Sequence, residues 1–219
     1  MAINEDELAR GAVVTGFSYP VVALYSAENG VVTYSQGRDL ARGIDMTPSI
    51  EVANENNTLY TDNQAAEEGQ RRFRTGTLAM TVDGLLTTSE KMIMGLGAGS
   101  TESVTVGQKS VTFNTYGKEQ KIPFVGLGCA VRFQSNGIEF FRAFVYRKLI
   151  FSQFGVRAAT EGAETNWQTQ ALSARIMRDD TAERTWKWFS DDLFETELEA
   201  YNAARAVLGM AAAEALPAV

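Results

Sequence analysis

One cysteine, Cys129, and no histidine set the chemistry open to this chain. Imidazole is the commonest general base and metal ligand near neutral pH. Without it, serine-histidine and cysteine-histidine catalysis and histidine-containing zinc sites are excluded. Cys129 lies between Gly128 and Ala130 in an apolar run and reads as a small buried hydrophobe rather than a nucleophile. Carboxylate chemistry and carboxylate-bound Mg²⁺ or Ca²⁺ remain open, but no D-x-D-x-D-G loop or close acidic cluster supports them. No catalytic residue, cofactor or metal is therefore expected, and the chain is not read as an enzyme. Gly95-Leu96-Gly97-Ala98-Gly99 imitates a nucleotide-binding loop. It follows a helical pattern instead of opening one, so it reads as a helix stop.

Two groups point to contact rather than catalysis. Arg71, Arg72 and Arg74 follow Glu67 and Glu68 at the end of a polar stretch. They read either as a solvated loop base pairing with carboxylates or as a subunit contact, with the contact slightly favoured. Tyr60, Asp62 and Asn63 in the same stretch complete the subunit-contact candidates. Trp186-Lys187-Trp188-Phe189 reads as a core anchor, with both tryptophans buried on one side and Phe189 stapling the next helix. Stacking on single-stranded bases is the rival, but Asp179, Asp180, Asp191 and Asp192 flank the cluster, against the positive groove it needs. Residues 140–151 are apolar on both strand faces, which implies a domain core on one side and leaves the other for a partner subunit.

The elements that must position these groups follow from periodicity. The chain has 219 residues, 45% of them hydrophobic and 10% aromatic, enough for one large domain with a real core. Its net charge is −7, so tight, sequence-specific DNA binding is not expected. No apolar run is long enough for a membrane span. The start, MAINEDELARG, is unlike a signal peptide, so folding in the cytoplasm is expected.

Alternating runs at 13–24 and 31–34 flank Asn29-Gly30, a hairpin signal. Residues 44–52 alternate around Pro48, which suggests an edge strand. Residues 54–70 read as a long loop and 73–82 as an amphipathic strand. A short helix starts at Thr87, with Thr87 and Glu90 at capping-box spacing. Residues 99–120 read as one hairpin. Residues 126–133 and 138–151 form another across Ser135-Asn136-Gly137, and 171–177 a further strand. From Ser190 the period becomes helical, with Asp191 and Asp192 in the first turn, and Gly209 ends the run. The fold expected is α+β, mainly β: an antiparallel two-sheet β-sandwich or barrel with a packed short helix and a C-terminal helix.

In order and spacing, residues Phe17 to Asp180 resemble the major tail proteins of long, non-contractile-tailed bacteriophages. The likeness rests on YPVVALYSAENGVVTY, Tyr60-Thr61-Asp62-Asn63, Thr75-Gly76-Thr77-Leu78 running into the helix at 87–96, Pro123 to Gly128, and Thr165 to Gln170 before Ser173-Ala174-Arg175. The resemblance implies a tail-tube fold over 1–184, with a long loop at about 45–70 that reaches a neighbouring ring or subunit. Two features depart from the family: an enlarged hairpin at about 100–120 and an aromatic-helix extension over 185–219. It further implies hexameric rings stacked into a tube, with partners limited to other copies, other tail proteins and DNA that slides through the lumen unbound. The protein would sit in the virion tail after assembly in the host cytoplasm. The alternatives are the tube subunit of a contractile injection or secretion apparatus, and a β-sandwich carbohydrate-binding or adhesion module using Trp167, Trp186 and Trp188.

Overall fold

The computed structural model describes Leu8 and residues 11–53, 58–97, 99–118, 120–156, 158–160 and 167–218. Twelve strands and two helices follow in order: β1 (Val13–Glu28), β2 (Val31–Asp39), β3 (Gly43–Ala53), β4 (Thr58–Thr61), β5 (Gln64–Glu68), β6 (Arg72–Val82), α1 (Thr87–Met94), β7 (Thr101–Val106), β8 (Lys109–Asn114), β9 (Val125–Ser135), β10 (Ile138–Phe151), β11 (Gln170–Met177), β12 (Lys187–Phe189) and α2 (Glu197–Val207). The fold is mainly β and antiparallel, as the alternation predicts.

One sheet runs β2-β1-β9-β10-β11-β6-β3, with β12 added beside β10. It curls far enough for β3 to meet β9 across the interior. Cys129 Sγ and Met46 Sδ lie 4.0 Å apart, and the Phe17 ring of β1 packs against the backbone of Gly43. Leu78, Met80, Leu127, Tyr146, Leu149 and Ile176 fill the enclosed core, and Ile93 and Met94 of α1 pack into it.

Tight turns fix the hairpin registers. Asn29 and Gly30 both have positive φ, 51° and 77°, as do Asn136 and Gly137, at 49° and 83°. These are the backbone angles that a two-residue turn matched to strand twist demands. Pro48 sits on β3 at the end of the sheet order, where a missing N–H costs no ladder bond.

Three local expectations are corrected. The stretch read as a long loop at 54–70 contains the β4–β5 hairpin, turned by Asp62 and Asn63 with φ of 50° and 62°; Asn54 to Asn57 lie outside the described residues. Helix α1 starts at Thr87 as expected, but without the capping box: its N-cap is Leu86, with no side-chain cap. Glu90, expected to cap, instead accepts from the Tyr116 hydroxyl at 2.6 Å. Helix α2 starts seven residues after Ser190. Thr196 caps it through a reciprocal box, Glu199 N–H donating to Thr196 Oγ1 at 3.3 Å and Thr196 N–H to Glu199 Oε2 at 3.1 Å. Asp191 and Asp192 precede it. Phe194 is held in a bridge, exchanging two 2.9 Å backbone bonds with Phe141, so Phe189 staples no helix. The glycine stop after α1 is as read: Gly95 is left-handed, at φ 69°, and Leu96 N–H reaches back to the Lys91 carbonyl at 2.8 Å.

Within the extension, helix α2 packs closely on the sheet. Strand β9 reads Val125-Gly126-Leu127-Gly128-Cys129-Ala130 and is buried on both faces. Val125 and Leu127 enter the core. The small residues alternate onto the outer face, against Ala200, Ala204 and Leu208 of α2. A Cβ on Gly128 would lie 3.1 Å from that of Ala204, and one on Gly126 would lie 2.6 Å from Leu208 Cδ2. Ala130 meets Ala200. Small residues on strand and helix let the two backbones approach closely.

Candidate assembly surfaces

Two hairpins, β4–β5 and β7–β8, form separate two-stranded sheets outside the main one. An isolated hairpin is at best marginally stable in water, so each is an arm whose exposed side chains lack a core of their own. On β7–β8 the register pairs Glu102 with Phe113, Val104 with Val111 and Val106 with Lys109. One face therefore carries Val104, Val106, Val111 and Phe113, all exposed, at 39–61% of their full area. The other carries Ser103, Thr105, Ser110 and Thr112. The alternation was visible in the sequence; that the apolar face is bare was not.

The contact candidates divide between tip and base of the other arm. Asp62 and Asn63 form its turn, and Tyr60 beside it is 67% exposed. Arg71, Arg72 and Arg74 lie exposed at the base, where the chain enters β6. Glu67 and Glu68 are in β5, paired with Leu59 and Thr58. Their side chains lie outside the described residues, and so does the expected pairing with the arginines. Arg74 instead lines a shallow groove of about 470 Å³ with Glu51, Ser173 and Arg175. The eight residues thus form two separate places rather than one site.

The tryptophans part company. Trp186 stacks on Phe73, centroids 4.5 Å apart and planes 5° from parallel. Trp188 is 44% exposed and lies under the Arg147 guanidinium at 4.0 Å, and Trp167 is 85% exposed. Burial of Trp186 and Trp188 together is therefore corrected, since Trp188 lies on a strand added at the sheet's side. A partner ring or cation already covers one face of each of these two, which weakens a flat sugar platform.

A charged knot just before β12 escaped sequence reasoning. Asp179 is buried and accepts from Arg147 Nε at 3.1 Å and from the hydroxyls of Thr181 at 2.6 Å and Thr185 at 2.9 Å. Burial alone would raise its pKa; the hydrogen bonds outweigh it and hold the carboxyl below its usual 3.8. Its neighbour Asp180 is lowered by hydrogen bonds from Lys148 and Tyr25. The D-D-x-x-x-x-T spacing was the available signal. Cys129 is fully buried, and burial pushes its thiol up to about 12, inert as a nucleophile.

An apolar groove of about 590 Å³ opens between Ser18 and Tyr19 within β1, the turn from β2 into β3 and the loop after β6. Leu40, Ala41, Leu86 and Pro217 line it, with Asp39, Arg42 and Asp83 among its polar members. Asp83 pairs with Arg42, and Asp39 pairs with Arg205 at 3.8 Å and accepts from the Tyr201 hydroxyl. Among the described residues no group of three or more cysteine, aspartate or glutamate side chains could hold a metal ion. Nor is any described helix long and apolar enough to cross a membrane. No family model matches the chain, and no curated protein matches it.

Proposed function

We propose that the chain is a structural subunit of a phage tail tube, forming hexameric rings that stack around a lumen through which DNA passes. The observation that carries this reading is the pair of hairpin arms outside the main sheet, one of them with a bare apolar face. A monomer gains nothing from presenting four large apolar side chains to water, whereas a subunit with two different sticky surfaces can close into rings and stack.

The open outer face of β3, β6 and β11 supports the same reading. Its cross-strand rows are Ser49-Thr77-Arg175, Thr47-Ala79-Ser173 and Asp45-Thr81-Ala171. Seven of these nine side chains are short and neutral, the exceptions being Arg175 and Asp45, and a net charge of −7 adds weak repulsion. On this reading the chain catalyses no reaction, needs no cofactor, and ends in the virion tail. Negative-stain electron microscopy with light scattering, across concentration and salt, tests it. Rings or hollow tubes of uniform diameter are expected. A monomer at every concentration, also when mixed with lysate of infected host cells as a source of initiator, overturns it.

A further inference from the structure

We infer that residues 210–218 form a releasable strap over the groove lined by Ala41, Leu86 and Pro217, and that its release opens the groove. The device belongs to a single copy and holds whether or not copies assemble.

The strap contains neither helix nor strand, so no ladder of backbone bonds secures it. It leaves α2 at Gly209, whose left-handed φ of 65° ends the helix and redirects the chain. Two side chains of α2 fasten it. Asn202 acts as a substitute backbone: its Nδ2 donates to the Ala213 carbonyl at 3.0 Å and its Oδ1 accepts from the Ala213 N–H at 2.8 Å. Arg205 Nε donates to the Ala211 carbonyl at 2.9 Å. Met210, Ala213 and Leu216 add half-buried apolar contacts, with Met210 in the space that a side chain on Gly37 would need. Beyond these fastenings the strap runs on to Pro217 and Ala218, which form part of the groove wall.

One residue joins strap to groove. Arg205 also donates from Nη1 to the Tyr201 hydroxyl at 2.9 Å and pairs with Asp39 of the groove at 3.8 Å. The Tyr201 ring lies 5.6 Å from that of Tyr19, another groove residue. Tyr19 has a φ of 50°, a conformation that persists in a residue other than glycine only while its surroundings enforce it. Both groove carboxylates are already paired, Asp39 with Arg205 and Asp83 with Arg42, so the strap and not charge governs access. Its departure removes Pro217 and Ala218 from the wall and frees Arg205 of one partner. By linkage, anything that fills the groove by displacing Pro217 favours the released strap.

Thiol labelling tests the inference. Ala41→Cys puts a half-buried thiol on the groove wall, and the native Cys129, wholly buried, reports unfolding in the same tube. Maleimide labelling is followed in this background, alone and with Asn202→Ala or Ala213→Pro. The second change cuts the Asn202 bond from the strap's side and leaves α2 untouched. Labelling at position 41 is expected to speed up roughly tenfold in Asn202→Ala and less in Ala213→Pro, in line with two lost hydrogen bonds against one. Cys129 should stay unlabelled, and hydrogen exchange over 210–218 should quicken. Faster exchange with unchanged labelling at position 41 would mean that the strap leaves without opening the groove. Unchanged exchange would mean that these bonds do not hold it; either overturns the inference. If Asn202→Ala also labels at Cys129 it has lost its fold, and Ala213→Pro decides.

Discussion

The two halves of the main sheet use alternation differently. In β9 the alternation is large against small, as in Val125-Gly126-Leu127-Gly128, and there, as at the centres of its neighbours β1 and β10, both faces are buried, one by the core and the other by α2. In β6 and β11 it is apolar against polar: Leu78, Met80, Leu172 and Ala174 point inward, while Thr77, Ala79, Ala171 and Ser173 are exposed. The first half has spent its second face on its own helix. The second half keeps that face free, and the two arms extend beyond it. Stability should therefore depend steeply on the outer face of the covered half and hardly at all on the outer face of the open one.

The strongest way to break the comparison is at the latch between the halves. Asp179 follows β11, and its partner Arg147 lies in β10. Asp179→Ala leaves the Arg147 guanidinium buried and unpaired, and should cost about 3–5 kcal/mol in urea unfolding. The pH dependence has a definite sign. The folded carboxyl lies below its unfolded value of 3.8, so its stabilisation is complete above that value and is lost as pH falls through the folded one. Asp179→Asn should flatten this part of the acid limb; an unchanged acid profile would show that the pair contributes nothing.

Next comes the seam beneath α2. Gly126→Val drives a side chain into Tyr34 and Leu208, whose atoms lie 2.5 and 2.6 Å from where a Cβ would stand. A loss of about 1–3 kcal/mol or more is expected from overpacking, read as a fall in Tm. The helix cap gives a smaller and more discriminating test. Thr196→Ala removes a formed box and should cost about 1 kcal/mol. Thr87→Ala removes no cap and should change stability by only a few tenths. Equal losses would mean that the α1 start is not as described.

The hairpins were legible because Asn-Gly turns between β-branched runs carry their own backbone geometry, and both such turns fall where the residues place them. The 62–63 turn was missed because Asp62-Asn63 lies in a polar stretch whose strands have little apolar alternation, so nothing in the hydrophobic pattern marked them. The α2 start was missed for a different reason. Leu193 and Phe194 fit a helical period, yet Phe194 serves a bridge to Phe141, and only the tertiary contact decides between the two. The contact candidates were read on a long loop; the structure puts Tyr60, Asp62 and Asn63 on a hairpin and the arginines at its base, a separation that no local pattern announced. The groove joins residues from both ends of the chain, Leu40 to Pro217, and no local pattern could announce it.

The smallest expected effect on stability sharpens the comparison most. Ala79 is exposed at the centre of the open face, between Thr47 and Ser173 on the neighbouring strands. Lysine there should alter Tm little, within about 0.5 kcal/mol, as surface changes do. Its consequence should appear only with a polyanion. The row Thr47-Ala79-Ser173 is neutral, and the face as a whole sets Arg175 against Asp45, whereas lysines on Ala79 and Ser173 create adjacent positive charges repeated in every copy. DNA retention that weakens with salt follows from them, and it should be absent from the unmodified protein at the same salt. If the double variant retains no more DNA than the parent while staying folded, this face is covered in the assembly. The surface along which DNA passes must then be sought on another side of the subunit.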